Sequence, residues 1–305
     1  MENRKLGNSD LEVSVVGLGC MSIGTEKNVA KNILDKALDL GINYLDTADL
    51  YDQGVNEELI GEVIKSKRQD IVLATKVGNK FEKGKDGWTW DPSKLHIKRS
   101  VKESLQRLQT DYIDLYQLHG GTIEDNIDET IEAFEELKQE GHIRQYGISS
   151  IRPNVIREYV ERSTIVSVMM QYSLLDRRPE ELFPFLEENN VSVVARGPLA
   201  KGILTERPLH EGPKTLKEKG YLSYTFEELN HVQEALKQAG GVRTLTSNAL
   251  LYNLAHPVVA SVITGASKPE QIADNVKAIQ ALNLSQDEIT AFKELTKAPS
   301  YEQHR

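Results

Sequence analysis

Short apolar segments alternate along the chain with longer segments that carry apolar residues at helical spacing. The first pattern predicts buried strands and the second predicts helices that cover them. Eight strands are predicted, at residues 15–19, 42–46, 71–76, 112–119, 143–149, 165–171, 191–196 and 258–264. Helices are predicted after them, at residues 29–40, 57–64, from 91 onward, 125–141, 153–161, 179–189, 246–255 and 268–281. Eight such repeats indicate an α/β fold, a single-domain (β/α)8 TIM barrel over residues 1–305.

Four further segments lie outside this alternation. Residues 4–14 contain Gly-Asn-Ser-Asp between alternating segments and predict an N-terminal β-hairpin. Residues 197–226 are rich in Gly and Pro and predict a long functional loop. Extra helices are predicted at residues 227–239 and 285–297, the second with Ser285 and Glu288 at capping-box spacing.

Composition removes several classes of function. The chain has 305 residues and a net charge of −9 at pH 7, and without a basic stripe this argues against a nucleic-acid partner. No run of about 18 apolar residues is present, which argues against a membrane span. The first residues lack the apolar segment of a signal peptide. The single cysteine, Cys20, excludes an intrachain disulfide and fits the cytoplasm.

Titratable side chains end three consecutive predicted strands. These residues are Asp46, Lys76 and His119, and Tyr51 follows Asp46 by five positions. Because the carboxyl ends of barrel strands form the active-site face, we expect the four side chains to meet there. Together they predict a proton-transfer site.

The chemistry of this group follows from charge. Tyrosine has a pKa of about 10, so it donates a proton at neutral pH only if a neighbour stabilises its anion. The Lys76 ammonium can do this, and Asp46 can keep a buried Lys76 charged. We therefore expect Tyr51 to act as a general acid near physiological pH. His119 can orient a carbonyl oxygen by donating a hydrogen bond.

Other uses of these groups remain open from the sequence. Lys76 could form a Schiff base, although a carboxylate partner would keep its amine charged. A metal could bind to Asp46, Asp49, Asp52 and His119, although Lys76 would repel it and no second His or Cys lies at ligand spacing. We therefore expect no metal.

A glycine motif after the first strand also has two interpretations. Gly17-Leu18-Gly19 nearly matches the dinucleotide fingerprint of a Rossmann domain, with Asp39 as the ribose acid. The third glycine of that fingerprint is missing, however. Eight strand-helix repeats favour the barrel.

With these residues the sequence resembles the aldo-keto reductases over essentially its whole length. The motifs that carry the resemblance are Gly17–Met21, Asp46–Tyr51, Ala74–Lys76, Leu115–His119, Tyr146–Ser149, Gln171–Leu175, Gly197–Gly202 and Thr264–Gln271. The bacterial, potassium-channel-β-like branch is the most similar. The resemblance implies hydride transfer from nicotinamide to a carbonyl, with Tyr51 as acid, Lys76 and Asp46 as its tuning pair, and His119 as orienter.

The resemblance also implies where the cofactor binds. The implied contacts are Gly19, Cys20, Met21, Asp46, Ser149, Gln171, Arg196, Gly197, Leu199, Lys201, Gly202, Gly265, Ser267, Lys268, Gln271 and Asn275. Ser150 stands where the family usually has Asn, and Arg196 stands where many relatives have a ring that stacks on nicotinamide. Lys268 or the Ser267 hydroxyl would meet a 2′-phosphate, so NADP is favoured over NAD. Alternatively, Ser267-Lys268-Pro269 is only a helix cap.

The substrate is the least determined part. Trp88, Trp90 and Tyr172 are candidates for lining an apolar pocket for a small-molecule carbonyl, from small to aromatic aldehydes. The two tryptophans could equally pack on the following helix. The alternative function is a nicotinamide-binding regulatory or sensor protein of the channel-β-subunit type, with slow turnover. A barrel lyase or isomerase would not bind nicotinamide. We expect a monomer or a weak oligomer.

Overall fold

The computed structural model describes residues 1–305, and eight parallel strands form its centre. They are β1 Val16–Gly19, β2 Tyr44–Asp46, β3 Val72–Val77, β4 Ile113–Leu118, β5 Ile143–Ser149, β6 Ser167–Gln171, β7 Ser192–Arg196 and β8 Val259–Gly265. Each strand pairs with the next, and β8 returns to pair with β1 through Val262 and Val16. The sheet is therefore a closed barrel, which confirms the predicted (β/α)8 fold and excludes the Rossmann alternative.

Helices cover the outside of the barrel. They are α1 Lys27–Asp39, α2 Val55–Ile64, α3 Lys94–Arg107, α4 Ile127–Gln139, α5 Pro153–Arg162, α6 Phe183–Glu188, α7 Lys214–Lys219, α8 Phe226–Ala239, α9 Leu245–Leu254, α10 Pro269–Ala278 and α11 Gln286–Leu295. In α1 the buried residues Ala30, Ile33, Leu34 and Ala37 follow the helical repeat, so one face packs on the sheet. None of these helices has the length and hydropathy needed to cross a membrane.

The predicted N-terminal hairpin closes the amino end of the barrel. Its strands, Asn3–Lys5 and Glu12–Ser14, pair antiparallel. The hairpin adds three buried residues to the cluster that fills the barrel interior, namely Leu6, Leu11 and Val13. The Arg4 guanidinium donates to the carbonyl oxygens of Leu254 and Val259, at 3.0 and 2.9 Å. The hairpin thus plugs the amino end of the barrel interior.

Several boundaries differ from the sequence predictions. Helix α3 begins at Lys94 with Ser93 as its N-cap, rather than at Asp91. The reason is a small hairpin, in which Asn79–Lys80 pairs with Thr89–Trp90 and the Asp91 N–H donates to the Gly78 carbonyl oxygen.

The sequence predicted a helix start correctly where residues close in sequence form the cap, but it did not predict one short helix. The predicted long loop at residues 197–226 contains the short helix α7, which the sequence analysis missed. The capping box of Ser285 and Glu288 is present at the start of α11. A cap is made within one turn of chain. Helix α7 has six residues and buries none of them, so it has no apolar repeat that the sequence could show.

Candidate active site

The four predicted side chains meet at the carboxyl end of the barrel. The Lys76 Nζ lies 2.7 Å from Asp46 Oδ2 and 3.5 Å from the Tyr51 hydroxyl. It also donates to the Thr47 carbonyl oxygen at 2.7 Å. The rings of Tyr51 and His119 meet edge to face, with centroids 6.0 Å apart. One buried ammonium therefore contacts the carboxylate and the phenol, and the imidazole stands across from that phenol.

Hydrogen bonds beyond the end of β2 hold Tyr51 over this group. The Thr47 and Asp49 N–H groups donate to the carbonyl oxygens of Ala74 and Lys76, at 2.9 and 3.2 Å, and so extend the pairing with β3. The Tyr51 N–H then donates to the Ala48 carbonyl oxygen, which turns the chain back. The phenol thus returns to the strand end that carries Asp46.

Two polar residues that the sequence did not reveal fix this arrangement. Gln117 Nε2 donates to Asp46 Oδ1 at 3.2 Å. Buried Asn56 accepts from the Thr47 hydroxyl at 2.7 Å and donates to the Cys20 carbonyl oxygen at 2.8 Å. The strand alternation could have identified Gln117, because it lies two residues before His119 and so faces the same side. No local signal marks Asn56.

Lys76 remains charged although it is almost wholly buried. Burial alone would lower the pKa of Lys76, but the Asp46 carboxylate and the Tyr51 hydroxyl raise it above its ordinary value. Burial raises the pKa of Asp46, and the Lys76 ammonium opposes that effect. Schiff-base chemistry needs a neutral amine, so this pairing argues against it.

The pKa of Tyr51 depends on burial as well as on the neighbouring Lys76. Burial has the largest effect and raises the pKa of Tyr51, and Lys76 only partly opposes it. Lys76 therefore lowers the pKa of Tyr51 as expected, but burial outweighs this effect in the free protein. The phenol carries its proton at neutral pH, as a general acid must before it reacts.

His119 is neutral for the same physical reason. Burial, followed by the charges of Lys76 and Arg196, lowers its pKa to about 3. Its Nδ1 is buried and has no hydrogen-bond partner in the protein. A neutral imidazole can donate one hydrogen bond and accept another. No group of three or more His, Cys, Asp or Glu side chains is placed to hold a metal ion.

Gln171 and Arg196 occupy the neighbouring strand ends. Arg196 Nη1 donates to Gln171 Oε1 at 3.2 Å, so the guanidinium lies on the site face rather than pointing away. Gln171 Nε2 donates to buried Asp176 at 2.9 Å and to the Tyr221 hydroxyl at 3.3 Å. Arg178 holds both oxygens of Asp176 at 2.7 Å. The Gln171 amide is thereby fixed with its oxygen toward Arg196, through contacts that the sequence did not reveal.

The remaining predicted cofactor residues lie around the same end of the barrel. They are Gly19, Cys20 and Met21 after β1, Ser149 at the end of β5, Gly197, Leu199, Lys201 and Gly202 after β7, and Gly265 at the end of β8. Met21 is 63% exposed. Cys20 is wholly buried, so its side chain presents no surface to a ligand. Ser150 is also buried, and its N–H donates to the Met169 carbonyl oxygen.

The Gln271 side chain caps the start of α10 in the free protein. The N–H groups of Ser267 and Lys268 point to Gln271 Oε1, at 2.8 and 3.3 Å. All three residues are exposed, and Asn275 is buried one turn later. An exposed helix N-terminus beside a lysine suits a phosphate group, because its N–H groups and its dipole favour negative charge. The residues present therefore fit a dinucleotide between Arg196 and α10.

The three candidate substrate residues have different surroundings. Trp90 packs on Gly78 and Gly120, where an added Cβ would lie 2.6 and 3.3 Å from its ring, and its indole N–H donates to Asp125 at 2.9 Å. Trp90 therefore forms a wall beside His119. Trp88 is 55% exposed.

Tyr172 is not a pocket residue. It is 2% exposed, packs edge to face against Phe183, and donates to Glu180 at 3.1 Å. The expectation for Tyr172 is wrong because adjacent strand residues face opposite sides. Since Gln171 faces the site, Tyr172 is directed into the outer core.

Enzymes with a (β/α)8 barrel carry their active sites at the carboxyl ends of the strands, which is where this titratable cluster lies. The family model described as "Aldo/keto reductase family" matches residues 15–297. The chain belongs to the aldo-keto reductase family, whose members are oxidoreductases that bind nicotinamide cofactors.

Individual relatives extend this result. An uncharacterised oxidoreductase of Bacillus subtilis (strain 168) is 63% identical over 305 residues, covering 100% of both chains. A holo-form structure of an aldo-keto reductase from Bacillus halodurans has a TM-score of 0.95 and 61% identity, covering 100% of this chain and 99% of that chain. The NADH-specific methylglyoxal reductase of Escherichia coli (strain K12) is 31% identical, covering 98% of this chain and 99% of the relative.

The predicted branch is also represented among the relatives. A probable voltage-gated potassium channel subunit beta of Arabidopsis thaliana is 28% identical over 93% of both chains. The resemblance to the channel-β-like aldo-keto reductases is therefore confirmed.

Proposed function

We propose that the protein is an NADPH-dependent reductase that converts aldehydes and ketones to alcohols, with Tyr51 as the general acid. The observation that carries the proposal is the contact of the Lys76 ammonium with Tyr51 at 3.5 Å and with Asp46 at 2.7 Å. This contact favours the phenolate after proton loss and has little effect on the protonated phenol. Such an interaction accelerates a reaction because it strengthens in the transition state.

Each member of the group then has a distinct part. Tyr51 gives its proton to the carbonyl oxygen as negative charge develops there, and Lys76 stabilises the phenolate that remains. Asp46 keeps Lys76 charged in its buried position. Neutral His119 donates one hydrogen bond to the substrate oxygen and so holds the carbonyl toward Tyr51. When bound, the reduced nicotinamide supplies the hydride equivalent.

The cofactor would lie across the ends of β5 to β8. Ser149 and the Gln171 oxygen would bind the carboxamide, and the planar Arg196 guanidinium lies where it could cover one face of the nicotinamide. Donors after β7 and at the start of α10 would bind the phosphates. The exposed Lys268 ammonium and Ser267 hydroxyl favour NADPH through its 2′-phosphate. One relative is named NADH-specific, so membership of the family does not by itself determine whether the cofactor is NADPH or NADH.

The neighbouring surfaces favour an apolar carbonyl substrate. Trp90 lies beside His119, and the exposed Trp88 and Met21 lie on loops at the same end of the barrel. We therefore propose small to aromatic aldehydes as substrates. Contact with the ring faces would bind the apolar part while Tyr51 and His119 bind the oxygen.

A nicotinamide-binding regulatory or sensor role is the second candidate. It is favoured by the relative named as a probable potassium channel subunit beta. A sensor can retain all four polar groups, so turnover rather than geometry separates the two functions. Slow reduction together with a stable protein partner would favour the sensor.

The test is NADPH consumption by the purified protein with 4-nitrobenzaldehyde, with wild type beside Tyr51→Phe. We expect loss of cofactor absorbance only with wild type, while both proteins bind NADPH equally in a fluorescence titration. Removal of a general acid typically costs about 10²- to 10⁴-fold in rate. Comparable turnover by Tyr51→Phe would remove the residue from its proposed part. NADPH binding without consumption by either protein would support the sensor.

A further inference from the structure

The turn that follows Tyr51 has an unusual backbone. Asp52, Gln53 and Gly54 are consecutive left-handed residues, with φ of +48°, +53° and +92°. Glycine adopts this conformation freely, but residues with a Cβ rarely do, and a pair of them must be held by their surroundings. Glycine would be the less strained choice at position 53. A glutamine there therefore points to a use for its side chain.

The Gln53 amide binds the backbone of the loop after β3. Its Nε2 donates to the Lys85 carbonyl oxygen at 2.9 Å, and its Oε1 accepts from the Gly84 N–H at 2.7 Å. These are the only hydrogen bonds between residues 81–88 and the rest of the protein. The other backbone bond of this segment is internal, from the Lys85 N–H to the Glu82 carbonyl oxygen. Gln53 therefore anchors the whole tip of the loop.

The base of the same loop is anchored on the other side of the site. Thr89–Trp90 pairs with Asn79–Lys80, and Trp90 packs on Gly120, the residue after His119. Residues 81–88 thus extend from the wall beside His119 to the turn that carries Tyr51. The loop is thus held at two points, one beside His119 and one on the turn that carries Tyr51.

We propose that Gln53 is a positioning residue that holds residues 81–88 against the Tyr51 turn and thereby shapes the opening for the carbonyl substrate. The proposal rests on the proposed reductase function for its kinetic consequence. The clamp itself consists of two amide hydrogen bonds to a loop tip that has no other hydrogen bond to the rest of the protein, and it is testable without any activity. Since the hydrogen bonds of the Gln53 side chain go only to this loop, its loss should affect carbonyl binding more than cofactor binding.

The test compares Gln53→Ala and Gln53→Gly with Gln109→Ala. Gln109 is a matched control, because it is exposed, has a φ of +51° and follows α3, far along the chain from the Tyr51 turn. Gln53→Gly removes the clamp and relieves the backbone strain, so it separates the two effects. Limited trypsin digestion reports on the loop through cleavage after Lys83 and Lys85. Kinetics with 4-nitrobenzaldehyde and NADPH report on the site.

We expect cleavage after Lys83 and Lys85 to become about tenfold faster in both Gln53 variants, which corresponds to about 1.4 kcal/mol of lost loop stability. We also expect KM for the aldehyde to rise at least several-fold, with unchanged NADPH affinity. Gln109→Ala should behave as wild type in every measurement. If trypsin cleaved Gln53→Gly after Lys83 and Lys85 at the wild-type rate, the proposal that Gln53 holds the loop would be wrong. Faster cleavage with an unchanged aldehyde KM would overturn its part in substrate binding.

The two proposals fail in different ways. If wild-type protein consumes no NADPH with any aldehyde, the reductase function fails, and trypsin cleavage still decides whether Gln53 holds the loop. If wild type is active but its Gln53 variants are indistinguishable from it, only the positioning proposal fails.

Discussion

The protonation state of each site residue depends on burial as much as on its neighbours. Tyr51 lies beside an ammonium, yet burial dominates and raises the pKa of its hydroxyl. His119 loses its charge because burial and two cations act in the same direction. The free site therefore contains a protonated phenol and a neutral imidazole over a charged Asp46–Lys76 pair. In the proposed reaction, both groups would donate hydrogen bonds to the carbonyl oxygen that gains charge.

Replacing Lys268 by alanine should weaken NADPH binding and leave NADH binding almost unchanged. The reason is that the lysine would contact only the 2′-phosphate at the start of α10. An effect of about tenfold, about 1.4 kcal/mol, is reasonable for one exposed charge-assisted contact. Fluorescence titration with both cofactors measures it. Lys277→Ala, in the last turn of the same helix, is the control. Equal losses for NADPH and NADH would make the phosphate contact wrong.

Replacing His119 by asparagine should reduce the loss of stability in acid. Between pH 6.5 and about 3 the unfolded histidine binds a proton and the folded one does not. Stability therefore falls as pH falls through this range, by up to about 1.4 kcal/mol per pH unit for this group. Urea unfolding of both proteins at pH 4, 5, 6 and 7 measures the slope. A variant with the wild-type slope would contradict the buried neutral histidine, and His231→Asn on the exposed face of α8 is the control.

At the scale of elements, helices α2 and α3 pack closely together, and the apolar pattern of the two helices does not show this contact. Gly61 lies within α2, where a Cβ would be 2.6 Å from the Arg107 carbonyl oxygen and from the Leu108 carbonyl carbon. Helix α2 therefore packs against the backbone at the end of α3. Arg107 also donates to buried Glu57 of α2 at 2.7 Å. These contacts fix α2, whose first turn follows directly after Tyr51, Asp52 and Gln53.

Gly61→Ala should destabilise the protein, contrary to the usual effect of this change inside a helix. In an open helix the substitution adds up to about 1 kcal/mol of stability. Here the methyl group meets backbone atoms that cannot move aside, so we expect a loss of about 1–3 kcal/mol. Urea denaturation of wild type and variant gives the sign directly. An increase in stability would mean that α2 and α3 are not packed this closely.

At the scale of the whole molecule, the two ends of the barrel have separate tasks. The amino end is filled by the hairpin, whose Leu11 and Val13 are 1% and 0% exposed. The carboxyl end carries Asp46, Lys76, Tyr51 and His119. Because these groups lie at opposite ends of the strands, stability and chemistry can be changed independently.

Leu11→Ala tests this separation. Truncating a buried leucine typically costs about 2–5 kcal/mol through lost contacts and the cavity left behind. We expect a lower urea midpoint, with kcat and KM unchanged under conditions where the variant is folded. Altered kinetic constants in the folded variant would show that the hairpin is coupled to the site.

The sequence by itself determined the fold and the residues of the central site. Apolar residues recur about every second position in a strand and about every fourth position in a helix with one buried face, and such patterns are visible along the chain. The capping box at Ser285 could be predicted because its partners are three residues apart. Asp46, Lys76 and His119 could be found because parallel strands bring their carboxyl ends to one face.

The tertiary structure alone decided how those residues behave. Which way Tyr172 faces, the protonation of Tyr51 and the orientation of Gln171 depend on burial and on partners distant in sequence. The clamp from Gln53 to Lys85 joins two loops through a left-handed turn that no local pattern predicts. Contacts of this kind are set by the packing of complete elements. The site residues could therefore be identified from the sequence, whereas their protonation states and positions depend on the folded structure.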